Sequence, residues 1–265
     1  MGATSRQSDM NARRYDAVLF DLLTAVLDSW TLWAQVAGDP RAARRWREQY
    51  LRLTYSAGRY VPYESLVAQA ALTQGLDPAL AQRLTQAWGQ LQPWPEAPRV
   101  LAAIAATRPI GTVTNCSDEL GHQAVELVGV PFEVVVTAQS AGAYKPRPEP
   151  YRRALDALAS PAERVLFVAG SPYDIVGAGR IGMDVWWHNR IGLSADPARR
   201  PVAEHRSLDP LLAFVRCEAS GPGVLPPGAV VVGQRAVLAA APGPGERAVC
   251  KNARFGMSGD VDAWR

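Results

Sequence analysis

Short, wholly apolar runs recur along this chain, and each stops at a polar cluster. AVLF at 17–20 ends in Asp21, and comparable runs are PIGTVTN (109–115), FEVVVTA (132–138), RVLFVAG (164–170) and DVWWHN (184–189). Runs this short and this rich in branched aliphatics read as strands buried on both faces. Helical stretches separate them: SDELGHQAVELV after the second, PEPYRRALDAL after the third and YDIVGAGRIGM after the fourth. SPAE at 160–163 has the form of a capping box with Pro at the first helical position. Strands alternating with helices confine the chain to the α/β class, with a Rossmann-like, mostly parallel sheet covered on both faces.

The interval 30–95 carries no strand-like run. DPRAARRWREQYLRL opens on Asp39 and Pro40, and DPALAQRLTQAW on Asp77 and Pro78, both good N-cap and first-turn pairs. In the second, Leu80, Leu84 and Trp88 share one helical face, and YESLVAQAAL is a third helix candidate. The pattern predicts a helical cap at 30–95 inserted into an α/β core formed by 15–29 and 96–217, with QPWPEAP (92–98) as a rigid return linker. The insertion is rich in aromatics, most of them its own core, with one or two able to line a pocket facing the sheet. Segments 1–14 and 218–265 read as flexible tails; the second is rich in Gly and Pro, with a short extended piece at 228–232.

An apolar fraction of 48% is ample for a packed interior, and no run approaches the roughly 18 apolar residues of a membrane span. MGATSRQSDMNARR lacks the apolar stretch of a secretory signal. The net charge is +3 with the basic residues scattered, so no nucleic-acid face is expected. The densest basic stretch, RAARRWRE, reads as the solvated side of a helix. Cys116, Cys217 and Cys250 form an odd, widely spaced set, which speaks against a disulfide framework or a zinc site and fits a reducing cytoplasm. His122, His188 and His205 have no ligand spacing and read as structural or exposed.

Ligands of an open parallel sheet bind beyond the carboxyl ends of its strands. Those ends carry Asp21 after the first run, Thr114, Asn115, Cys116 and Ser117 after the second, Lys145 and Tyr151 after the third, and Ser171, Tyr173 and Asp174 after the fourth. Each has a plain alternative: Asp21 and Asp174 can cap helices, Asn115 can serve a turn, Lys145 can be a loop cation. Yet Lys145 and Lys251 are the only two lysines in an Arg-rich chain, and a compact ammonium at a strand end suggests a specific need.

The motifs VLFDLL, GTVTNCS, YKPRPEPY and VLFVAGSPYDIVGAGRIGM, in this order and with a helical insertion after the first, resemble the haloacid dehalogenase superfamily across about residues 15–217. The resemblance puts Asp21 at the nucleophile position. Its phosphatases carry a second Asp two residues later and an acid before the Ser of the fourth motif, where this chain has Leu23 and Gly170. Without that proton donor and that magnesium ligand, the resemblance points to the metal-free 2-haloacid dehalogenase branch, needing no metal and no cofactor. It implies catalytic roles for Asp21, Lys145 and Asp174. Substrate contacts would come from Arg47 (in WREQYL), Thr114, Asn115, Tyr151 and Ser171, with a small anionic substrate and neither nucleic acid nor membrane as partner. That branch has a Thr four residues after the nucleophile, where Ala25 stands with Thr24 one place early; it has an aromatic at Leu23, and Ser and Asn at Ala169 and Ser171. The alternatives are a phosphatase-type hydrolase of the same superfamily with another substrate, and a catalytically degraded member that only binds. Related dehalogenases often form dimers, and a homodimer stays open here.

Overall fold

The structure, a computed structural model, describes residues 14–217 together with 229–232 and 235–238. It begins with strand β1 (Ala17–Phe20), followed by four helices: α1 (Ser29–Ala37), α2 (Pro40–Ser56), α3 (Tyr63–Thr73) and α4 (Ala79–Gln86). Then come α5 (Ala97–Ala105), β2 (Ile110–Thr114), α6 (Asp118–Val128), β3 (Val134–Thr137), α7 (Pro148–Leu158), β4 (Val165–Ala169), α8 (Pro172–Arg180), β5 (Asp184–His188), β6 (Ala203–His205) and α9 (Asp209–Cys217). The six strands form one parallel sheet in the order β3-β2-β1-β4-β5-β6, with Val18 opposite both Ile110 and Leu166. This is an α/β, Rossmann-like sheet, and its strand order reverses between β1 and β4, where such sheets bind their ligands.

Alternation along the strands feeds two cores. Val18, Phe20, Leu166, Val168 and Trp186 face one side with Val100, Ile104, Leu120 and Leu211, while Leu19, Val113, Phe167 and Trp187 face the other with Tyr151, Ala154 and Ile175. A strand apolar on both faces needs helices on both faces, which explains the unbroken apolar runs.

Among α1 to α4 the expected caps form. The Asp39 carboxylate accepts from Arg41 N at 2.9 Å with Pro40 in the first turn of α2, and Asp77 accepts from Ala79 N at 2.9 Å. Leu80, Leu84 and Trp88 are all buried. Chain leaving β1 and chain returning to α5 run side by side: Asp28 N donates to Gln92 O at 2.8 Å and Trp94 N to Val26 O at 2.9 Å. The stretch read as a return linker therefore ends inside α5, which starts at Ala97.

SPAE does not act as a capping box. Only a three-residue 3-10 turn, Ala162–Arg164, precedes β4, and the Ser160 hydroxyl donates instead to Leu158 O at 3.1 Å. Strand β6 carries the polar residues Glu204 and His205 and left no apolar run to read. The expectation of flexible tails falls almost wholly outside the described residues. Within the second tail, Ala229–Val232 and Arg235–Leu238 pair as an antiparallel hairpin, and that pairing takes in the short extended piece expected there.

Candidate active site

Asp21 leaves β1 directly into a five-residue π-helical turn, Leu22–Val26, and caps it with its own side chain. Its Oδ2 accepts from Thr24 N at 2.9 Å, Ala25 N at 3.2 Å and the Thr24 hydroxyl. Thr24, one place early in sequence, still reaches the carboxylate. Three successive carbonyls of the turn are held from outside it: Leu23 O by the Ser29 hydroxyl at the start of α1, Thr24 O by Trp94 Nε1 at 3.1 Å, and Ala25 O by His188 Nδ1 at 2.8 Å. These outside bonds satisfy groups that an α-helix would pair internally, and they stabilise the wider turn. Ser29 and Trp94 escaped sequence reasoning because contacts made in the fold give them this task, whereas His188, read as structural or exposed, takes a structural part.

Lys145 extends its ammonium between two carboxylates, 2.7 Å from Asp21 Oδ1 and 3.2 Å from Asp174 Oδ2. All three side chains are buried. Asp174 lies in the first turn of α8, behind the Ser171 cap, and accepts from Tyr151 OH at 2.6 Å. Asn115 clamps Lys145 by its backbone: its Oδ1 accepts from Lys145 N at 2.8 Å and its Nδ2 donates to Lys145 O at 3.0 Å.

The two carboxyls are driven apart electrostatically. Burial raises Asp21, but the Lys145 charge and hydrogen bond together with the Thr24 donors outweigh it and hold the group below its ordinary value. Asp174 is pushed up to about 6, by burial foremost and by the neighbouring Asp21 charge, with Lys145 and Tyr151 only partly offsetting. Lys145 is itself held protonated: burial lowers it, and the two carboxylates more than restore it. Two acids in one site with separated affinities for a proton suit two different roles.

These groups open onto a cavity of about 460 Å³ whose far wall is formed by α1 and α2. Arg47, buried on α2, lines it; Nη2 donates to Ser29 Oγ at 2.8 Å, the guanidinium lies 3.9 Å from the centre of the Trp30 ring, and Nη1 finds no hydrogen-bond partner among the described residues. Of the sequence-predicted residues, Asp21, Arg47, Asn115, Lys145, Ser171 and Asp174 meet at this cavity. Thr114 and Tyr151 do not line it. The Thr114 hydroxyl packs 3.7 Å from the Cys116 sulfur, since its strand position turns the side chain into the sheet's cover, and Tyr151 sits beneath Asp174 with its ring edge-on to Phe167. Neither is placed to touch a substrate; Tyr151 reaches the site only by its hydrogen bond to Asp174.

Two glycines make the close packing possible. A Cβ on Gly177 would lie 2.5 Å from the Tyr151 hydroxyl. One on Gly170 would lie 2.3 Å from Ala25 N and 2.4 Å from the Thr24 carbonyl carbon, so the turn occupies the space any side chain there would need. Backbone cannot swing aside as a side-chain tip can. Gly170→Ala is therefore expected to lower stability by about 2–3 kcal/mol, read as a drop in urea midpoint at unchanged m-value.

Residues 18–188 match the family model described as haloacid dehalogenase-like hydrolase. The chain is 34% identical over 166 residues to a haloacetate dehalogenase of Moraxella sp. (strain B), a match covering 57% of this chain and 73% of that protein. It is 29% identical over 183 residues to an (S)-2-haloacid dehalogenase of Pseudomonas putida, covering 63% and 80%. In structure it resembles the L-2-haloacid dehalogenase from Xanthobacter autotrophicus, with a TM-score of 0.69 at 21% identity over 77% of this chain and 99% of that one.

Proposed function

The chain belongs to the haloacid dehalogenase-like hydrolases, and within that family we propose that it cleaves the carbon–halogen bond of 2-haloalkanoic acids through an ester on Asp21, without a metal ion. The observation that carries this reading is the ammonium of Lys145 bridging Asp21 and Asp174, at 2.7 and 3.2 Å.

Oδ2 of Asp21 is saturated by three donors from the turn, so Oδ1 is the nucleophilic oxygen. It attacks C2 of the substrate; the C2–halogen bond breaks and its electron pair leaves on the halide. A carboxylate is a competent covalent nucleophile when kept ionised, and Lys145 keeps it so. Halide needs no proton, which is why Leu23, beside Asp21, needs no acidic function. The unpartnered Nη1 of Arg47 and the second amide hydrogen of Asn115 supply donors to the departing halide. Backbone N–H groups, rather than Thr114, hold the substrate carboxylate. Water then adds to Cγ of Asp21, giving a proton to Asp174; the Cγ–Oδ1 bond breaks, the departing alkoxide oxygen takes that proton back from Asp174, and the Asp21 carboxyl loses the proton left on it. The products are halide, a 2-hydroxy acid, a proton and the restored carboxylate. The helices of 30–95 act as a cap that limits water at the site.

The residues present do not fit magnesium, the ion used by the family's phosphatases. That ion takes oxygen ligands in near-octahedral geometry. Gly170 offers no side-chain oxygen, the turn fills the space where one would stand, and an ammonium already lies between the two carboxylates. No three His, Cys, Asp or Glu side chains converge on a metal position among the described residues. No described helix is long and apolar enough to cross a membrane; a reducing cytoplasm suits the free, buried Cys116, whose thiol burial pushes up to about 12.

The test is halide release from a panel of 2-chloro acids with excess EDTA present. Release that persists under EDTA is expected. With Asp174 as the base, kcat should fall on the acid side, because protonated Asp174 cannot accept a proton from water. Tyr151→Phe removes a donor that favours the charged form, so this limb should move to higher pH. Phosphate release requiring magnesium, with no halide from any acid of the panel, would refute the reading.

A further inference from the structure

We infer that this site is built for a 2-halo acid bearing a bulky aromatic substituent on C2, rather than for an acid of haloacetate size. The inference rests on the dehalogenase reading and concerns what occupies the rest of its cavity. At about 30 Å³ per water molecule, the cavity of about 460 Å³ has room for roughly fifteen waters. A three-carbon halo acid has six heavy atoms and leaves most of that volume wet. Displacement by a buried carboxylate gains from a dry site, where its electrostatic partners act at full strength. Cavities of this size otherwise serve ligands several times larger than haloacetate.

The chemistry of the outer wall narrows the class. Arg47, Leu51 and Tyr55 follow one another at four-residue intervals on α2, so all three turn to the cavity. Trp30 faces them from α1, and Tyr173, 46% exposed, closes the rim from α8 with its ring centre 4.2 Å from that of Tyr55. Flat faces and an aliphatic side chain at this depth suit an aryl group. Leu23, two residues after the nucleophile, adds an aliphatic side chain to the lining of the same cavity. A second acidic group on the substrate is not called for. Arg44 is already paired with Glu48 at 3.0 Å, and Arg52 is exposed at the mouth.

The test uses the full chain and compares kcat/KM for halide release from chloroacetate, racemic 2-chloropropionate and racemic 2-chloro-3-phenylpropionate. The phenyl acid is expected to exceed 2-chloropropionate by at least about tenfold, the effect of removing one aryl face's worth of apolar area from water. Leu51→Trp, which fills the chamber from α2, should lower the phenyl-to-methyl ratio of kcat/KM by tenfold or more. Should that variant fail to fold, Tyr55→Ala, which removes a stacking face, should lower the same ratio. A wild-type ratio of one or less overturns the inference while leaving the dehalogenase reading intact. Halide from none of the three acids overturns that reading, and the inference falls with it.

Discussion

Asp21→Asn is expected to lose halide release by at least about four orders of magnitude, on the scale of losses seen when a covalent nucleophile is removed. The amide lacks the negative oxygen that must form the bond to C2, and its neutral group next to the Lys145 ammonium gains nothing from that charge. The protein should still fold, because Lys145 keeps Asp174 as a partner at 3.2 Å. A second readout separates this mechanism from direct attack by water. If Oδ1 forms the ester and water adds at Cγ, the hydroxyl oxygen of the product is the one Asp21 contributed. A single turnover in oxygen-18 water should then give unlabelled hydroxy acid and place the label in Asp21. Labelled product in the first turnover, or substantial activity in Asp21→Asn, would remove Asp21 from the covalent role.

Much of this arrangement could be read along the chain, and what escaped has a physical cause. The first five strands announced themselves because burial on both faces demands unbroken apolar runs, whereas β6, an edge strand holding Glu204 and His205, makes no such demand. Asp21, Lys145 and Asp174 could be located because parallel topology gathers strand ends, whatever lies between them in sequence. Side-chain direction was harder. Thr114 and Asn115 are neighbours at one strand end, yet only Asn115 faces the cavity, since successive residues there point to opposite sides. Thr24 looked misplaced by one residue against the pattern of the resembling branch; the π turn brings it to Asp21. Gly170 was informative as a missing acid, but its steric role, excluding any side chain from the space of the turn, depends on contacts made across the fold.

Lys145→Met is the harsher test, because it strikes stability and activity through one charge. The ammonium offsets two carboxylates that are both buried, and breaking a buried ion pair by removing one partner costs about 3–5 kcal/mol. The variant can relieve this by taking up a proton, and Asp174, already raised to about 6, is the group that takes it. The sign follows. Asp174 then has a folded-state pKa raised still further above its unfolded value near 3.9, so between those values the folded state binds more protons than the unfolded. Stability therefore falls as pH rises through that window. Urea midpoints should show a small deficit against wild type at pH 5 and the full loss at pH 8. Activity fails at both ends: at pH 5 the base is protonated, and at pH 8 two ionised carboxylates repel each other without the cation that offset them and held Asp21 in place. A drop in kcat of about a thousandfold or more is expected, on the scale of losing an electrostatic group aimed at reacting charge. Lys145→Arg should not rescue it, because a planar fork cannot stand as a point charge 2.7 Å from one carboxylate and 3.2 Å from the other. Wild-type stability at pH 8 in Lys145→Met would mean that the two carboxylates do not depend on this ammonium, and the electrostatic basis for assigning Asp21 and Asp174 different roles would be lost.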